Sequence, residues 1–142
     1  MGFGEAVRTC LTKYVTFDGR ARRSEFWYFV LFQILVSIAA AIIDSIVFPR
    51  WELGGDQGPV QWLTNVVLLL PSIAVTCRRL HDIDKSGWWQ LLNFIPIIGW
   101  IIMLIWTIRD GQRHQNRFGY DPKGQLSGPP GGPQDYVPPR PY

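Results

Sequence analysis

The sequence predicts an all-α membrane fold, a small helical transmembrane bundle with an amphipathic interfacial helix at its N-terminus. Two observations carry this. Segments 26–48, 60–77 and 88–108 hold 62 residues and a single charge, Asp44, while the other 24 charged residues lie outside them. A helix needs roughly 20 apolar residues to cross a hydrocarbon core about 30 Å thick, and these segments have 23, 18 and 21. Tryptophans also collect at their ends: Trp27, Trp62, Trp88, Trp89 and Trp106 sit at segment limits and Trp51 just beyond one. That is the depth at which amphipathic rings meet lipid headgroups. Three helices apolar all round would leave a soluble chain of 142 residues nothing to shield them with.

The first element is an amphipathic helix. Phe3, Ala6, Val7, Cys10, Leu11 and Tyr14 follow helical spacing on one face, with Glu5, Arg8, Thr9, Thr12 and Lys13 on the other. Next to a span, such a helix lies in the membrane interface or packs on the end of the bundle. The apolar run that follows is too long for a signal-peptide core, so no cleavage is expected. Ala6 stands where a myristoylation signal needs Ser or Thr. Asp18-Gly19 marks a turn before the basic run Arg20, Arg22 and Arg23.

Segment 26–48 is followed by a polar loop containing Gly54-Gly55-Asp56 and Gly58-Pro59. Asp44 lies close enough to the end of its segment to reach interfacial water, so it is weak evidence for an ion path. Segment 60–77 carries Pro71, tolerated where a neighbour satisfies the carbonyl it frees. Segment 88–108 has Pro96 and Gly99 at its middle, so it is kinked or re-entrant. Gly124 onward holds six prolines and four glycines in 19 residues and predicts a disordered tail, which confines the membrane domain to 1–123. Cys10 and Cys77 form no disulfide framework.

Basic residues divide by side. The N-terminal region has five, the first loop only Arg50, the second loop Arg78, Arg79 and Lys85, and the stretch after the third segment Arg109, Arg113, Arg117 and Lys123. Three full crossings with the N-terminus cytoplasmic put eight inside and five outside; a re-entrant third segment puts twelve inside and one outside. Length favours a third crossing, and charge favours the re-entrant form, which is the preferred reading.

Four clusters invite functional readings. Arg20, Arg22 and Arg23 precede Glu25 and Trp27, a pattern suited to anionic headgroups or to a plain topology signal. Arg78 and Arg79 lead into His81 and Asp82. Arg78 and Asp82 are one helical turn apart and could pair, and paired guanidiniums also match phosphate oxygens. The His81-Asp82 dyad resembles part of a metal-dependent phosphohydrolase, but only Cys77, Asp84 and His114 accompany it, at no diagnostic spacing. Ser86-Gly87-Trp88-Trp89 caps and anchors a helix start. Asn116-Arg117-Phe118-Gly119-Tyr120-Asp121-Pro122 is a compact turn whose Arg117 and Asp121 could pair with charges of the second cluster. Within the spans, Gln33 and Asn93 are expected to face other helices, because an unanswered amide in hydrocarbon is costly.

Taken in order, Gly19-Arg20-x-x-Arg23-x-Glu25-Phe26-Trp27, Arg78-Arg79-Leu80-His81-Asp82, Ser86-Gly87-Trp88-Trp89, Pro96-x-x-Gly99 and Asn116-Arg117-Phe118-Gly119-x-Asp121-Pro122 resemble the bacterial inner-membrane family called domain of unknown function 805. The resemblance spans roughly 10–122. It implies a multi-pass bacterial plasma-membrane protein and no particular activity.

The functional expectation is a binding module whose cytoplasmic face gathers Arg20, Arg23, Glu25, Arg78, Arg79, His81, Asp82, Arg117 and Asp121. Its partner would be an anionic lipid, a phosphate or another membrane protein, with homo-oligomers allowed. A subunit of an oligomeric transporter or channel is the alternative, and a membrane-embedded hydrolase using His81 and Asp82 a third. No complete catalytic constellation is present, and no metal, cofactor or nucleic acid is expected.

Overall fold

A computed structural model describes residues 2–48, 57–114, 116–119 and 121–123. Among them are five helices and no strand: α1 (Phe3–Thr12), α2 (Arg23–Val47), α3 (Pro59–His81), a 3-10 helix (Gly87–Phe94) and α4 (Ile98–Ile108). The predicted all-α class holds. Trp51, the loop around Arg50 and the tail 124–142 lie outside the described residues. The chain divides into two units, Met1–Thr16 with Ser24–Val75, and Phe17–Arg23 with Thr76–Tyr142.

In the first unit α2 and α3 run antiparallel. Their 25 and 23 residues are long and apolar enough to cross a membrane. Three polar ties join them. Pro59 opens α3, where a missing N–H costs nothing, and the buried Asp44 carboxylate accepts from the N–H groups of Val60 at 3.0 Å and Gln61 at 2.7 Å. Asp44 is thus a helix cap supplied by the neighbouring helix, rather than a side chain reaching for water. A side chain at Gly58 would collide with that carboxylate. The Gln61 amide reaches Ser37 Oγ at 2.5 Å, and Gln33 donates to Ser72 Oγ, so Gln33 faces its neighbour as expected.

Pro71 lies inside α3 and has no N–H for the carbonyl of Val67, four residues earlier. The Tyr14 hydroxyl, just beyond α1, donates to that carbonyl instead. Ala6 and Cys10 of α1 are fully buried, the Phe3 ring meets Tyr28 edge-on at 6.0 Å, and Cys10 Sγ lies 3.7 Å from Glu25 Oε1. Small residues therefore pack inward while Phe3 and Leu11 stay exposed. Tyr14→Phe is expected to cost about 1–3 kcal/mol, the penalty of an unanswered carbonyl. Thermal unfolding of the purified chain checks this. In a Pro71→Ala background the loss should shrink, because position 71 again donates.

In the second unit the third apolar segment is a hairpin. The 3-10 arm has 8 residues and α4 has 11; at about 2.0 and about 1.5 Å per residue, both arms are about 16 Å long. Ser86 caps the first arm, accepting from Trp88 N–H at 3.4 Å. The arms pack together: Trp100 Nε1 donates to the Asn93 carbonyl at 3.1 Å, and Trp89 meets Trp106 edge-on at 5.5 Å. At the tip Ile97 takes φ 66 and ψ −69, and Ile98 N–H donates to Pro96 O at 2.8 Å. This is a γ-turn, a strained conformation for a β-branched residue. Gly99 follows because any Cβ there would overlap the Leu92 carbonyl. Asn93 is exposed, contrary to the expectation that it faces another helix. The reason is the 3-10 winding, which places side chains on other faces than an α-helix would.

Candidate functional site

The second unit is organised around the end of α3. The helix stops through a Schellman pattern, with Lys85 N–H donating to Leu80 O at 2.9 Å and Asp84 N–H to His81 O at 3.0 Å. Asp84 occupies the left-handed position, φ 59, usually taken by glycine. Arg117 braces it, donating to its carboxylate at 3.2 Å and its carbonyl at 3.1 Å. The segment before α2 lies alongside: Gly19 turns with φ 85, and Ala21 N–H donates to Arg78 O at 2.9 Å.

Asp82 is the hub, only 2% exposed. Its Oδ1 accepts from Arg20 Nε at 3.0 Å and its Oδ2 from Arg79 Nη1 at 2.5 Å. Burial pushes its carboxyl above the ordinary value, and Arg79 and then Arg20 pull against that rise. Apart from Arg20 Nη2, which also reaches Asp82 O at 3.3 Å, the remaining donors described go to backbone carbonyls of the returning chain. Arg79 reaches Thr107 O at 3.1 Å and Arg109 O; Arg20 reaches His114 O at 2.7 Å, Gln112 O and, more weakly, Gly119 O at 3.4 Å. Gly111 passes so close to the Asp82 carboxylate that no side chain fits there. The two forks therefore clamp residues 107–119 onto the end of α3.

His81 is equally occupied. A carbonyl only accepts, so its Nδ1 carries the hydrogen donated to Gly19 O at 3.0 Å. Its Nε2 lies 3.5 Å from Cys77 Sγ, and its ring stacks flat on Phe118 at 3.8 Å. Asn116 ties the turn down, donating to His81 O at 2.8 Å while its oxygen accepts from Phe118 N–H at 3.0 Å.

The clamp and hairpin draw their residues from between 19 and 119, and a family model covers this stretch: residues 14–120 match "Protein of unknown function (DUF805)". The chain belongs to that family. It is 42% identical to "Inner membrane protein YhaH" of Escherichia coli K12 over 113 residues, covering 80% of this chain and 92% of the relative. It is 41% identical to "Inner membrane protein YhaI" of the same strain, covering 80% and 91%. "Uncharacterized protein YiiR" is 31% identical over 102 residues, covering 68% and 60%. No solved structure matches the chain.

In this DUF805 member the structure brings together Arg20, Arg79, His81 and Asp82 of the expected cluster. Arg78, 1% exposed, offers its carbonyl to Ala21, and it is Arg79, three residues before Asp82, that forms the ion pair expected of Arg78. Arg117 pairs with Asp84, and Asp121 accepts from Lys123 N–H at 2.9 Å, so neither of the expected links to the Arg78–Asp82 motif is made by these partners. Arg23 pairs with Asp110 at 2.8 Å on the surface, and that contact together with Lys123 holds the Asp110 carboxyl below its usual value. Glu25 belongs to the first unit, beside Cys10. Trp88 and Trp89 open the hairpin, Trp106 closes it, and Lys85 Nζ stands 6.0 Å and 5.4 Å over the rings of Trp89 and Trp106. Trp27 and Trp62 are exposed in the first unit. Sequence reasoning weighed Asp84 only as a companion of the His81-Asp82 dyad and missed Asp110, Gly111 and Gln112; a glycine between Asp110 and Gln112 was the available signal for a close approach.

Proposed function

We propose that this chain is a bacterial inner-membrane protein with two crossings, a cytoplasmic N-terminus and a hairpin set into the cytoplasmic leaflet, and that it binds anionic lipid headgroups. The observation that carries this is charge. The described residues of the second unit hold ten Lys and Arg against five Asp, while those of the first hold two against three acids. Surplus positive charge therefore stands in the unit that carries the one-leaflet hairpin, and polybasic groups near an acidic leaflet contribute about 1 kcal/mol each. The relatives named as inner membrane proteins support the location.

The clamp arginines do not supply this site, since Arg20 and Arg79 spend their donors on protein. Lys85, Arg109 and Arg113 have no carboxylate partner among the described residues and are the headgroup contacts. Lys85 is held at the base of the hairpin by two indoles, which fixes its depth. In native mass spectrometry the purified full chain is expected to retain phosphatidylglycerol over phosphatidylcholine. Replacing Lys85, Arg109 and Arg113 together by Gln should lower that preference at least about tenfold, and added salt should lower it in the wild type. Equal retention of both lipids by the wild-type protein would defeat the reading.

A further inference from the structure

A different feature stands in the first unit, independent of lipid binding. Between the Gln61–Ser37 and Gln33–Ser72 ties α2 and α3 part, leaving a cavity of about 410 Å³, open at its side, with Gln33, Ser37, Thr64, Asn65 and Ser72 in its wall. Gln61, Asn65, Leu68 and Ser72 recur at i, i+4, i+7 and i+11, so they share one face of α3. Gln61 and Ser72 bond Ser37 and Gln33 of α2. Asn65, in the same stripe and in the cavity wall, is exposed.

The Asn65 amide donates to Gln57 Oε1 at 2.9 Å; among the described residues nothing donates to its oxygen and nothing bonds the Thr64 hydroxyl. Asn65 lies six residues past Pro59, so about 9 Å along the helix and within apolar depth. An amide oxygen left unanswered in hydrocarbon is costly, and interhelical amide bonds are a recurrent answer.

We infer that a second copy of this chain docks on this groove, its α3 crossing the first α3 about a two-fold axis near Asn65. The lining chooses that occupant. It carries no charge, and every polar group in it is an amide or a hydroxyl, each both donor and acceptor. Such a surface complements itself: each Asn65 amide donates to the oxygen of the other, and a two-fold contact sets the same patch on both sides. A charged partner would find no counter-charge in the groove. Exposed Trp62 and Leu69 beside it supply apolar contact.

The test counts copies of the full chain in phosphatidylcholine vesicles by single-molecule photobleaching at falling protein-to-lipid ratio. Wild type is expected to be dimeric, with Asn65→Leu dissociating at about tenfold higher protein density. A second arm does not depend on that variant folding: mild oxidation should link Asn65→Cys copies through a disulfide, and should leave Ile46→Cys, on the opposite and exposed face of α2, unlinked. Monomers at every density overturn the inference. So does a dimer whose strength ignores Asn65→Leu and that does not cross-link at 65, which places the contact elsewhere.

Discussion

Asp82→Ala is expected to lower the unfolding free energy by about 3–5 kcal/mol, the cost of stranding a buried charge. Asp82 stands between Arg20 and Arg79, both essentially without solvent contact. Without its carboxylate, two guanidiniums remain buried with only carbonyls as acceptors, and carbonyls carry no charge to offset them. Loss of the hub also loosens Arg20 and Arg79 from Thr107, Arg109, Gln112 and His114, so the returning chain is released together with them. Asp82→Asn keeps one acceptor and should cost less than Ala. Thermal or dodecyl sulfate unfolding of the purified chain measures both. A loss below about 1 kcal/mol would mean that the carbonyls alone satisfy the arginines.

Cysteines introduced at Lys85 and Arg113 are expected to react with an impermeant maleimide from one and the same side of the membrane. Neither should label in intact cells and both should label in inverted vesicles. The two positions bracket the hairpin, whose arms of about 16 Å each span only half of a core about 30 Å thick. Trp89 lies against Trp106, so the chain leaves where it came in. A third full crossing would separate the two rings and put Arg109, Arg113, Arg117 and Lys123 on the other side. Labelling of position 113 in intact cells, with 85 protected, would remove the hairpin from the membrane reading. Cys10 and Cys77 are buried and add little background.

The helices were legible in sequence because each announces itself through side chains: an apolar run for α2, the same for α3, spaced apolar residues for α1. The break in the third segment was legible from Pro96 and Gly99, and the hairpin follows from where those two stand. The clamp was only half legible. Arg20, Arg79 and Asp82 are visible as charges, but most of their partners are backbone carbonyls of residues 107–119, and a carbonyl has no letter in the sequence. Arg78 and Arg79 were indistinguishable for the same reason, since a helix decides by a rotation of one residue which of two neighbours meets Asp82. Asp44 misled because its partners are N–H groups of Val60 and Gln61, again backbone.

The bond from Tyr14 to Val67 has a consequence for biosynthesis. Tyr14 leaves the ribosome more than fifty residues before the carbonyl it serves, so the N-terminal helix cannot complete its own docking until α3 has been made. Conversely, α3 is made with one carbonyl open and is finished by a segment synthesised before it. Assembly of the first unit is therefore ordered, with synthesis of α3 ahead of the last tie made by the N-terminal segment. A nascent chain arrested before Val67 could already set Phe3 against Tyr28 and Cys10 beside Glu25 of α2 but could not form the Tyr14 bond, which makes that bond a reporter of whether α3 has arrived.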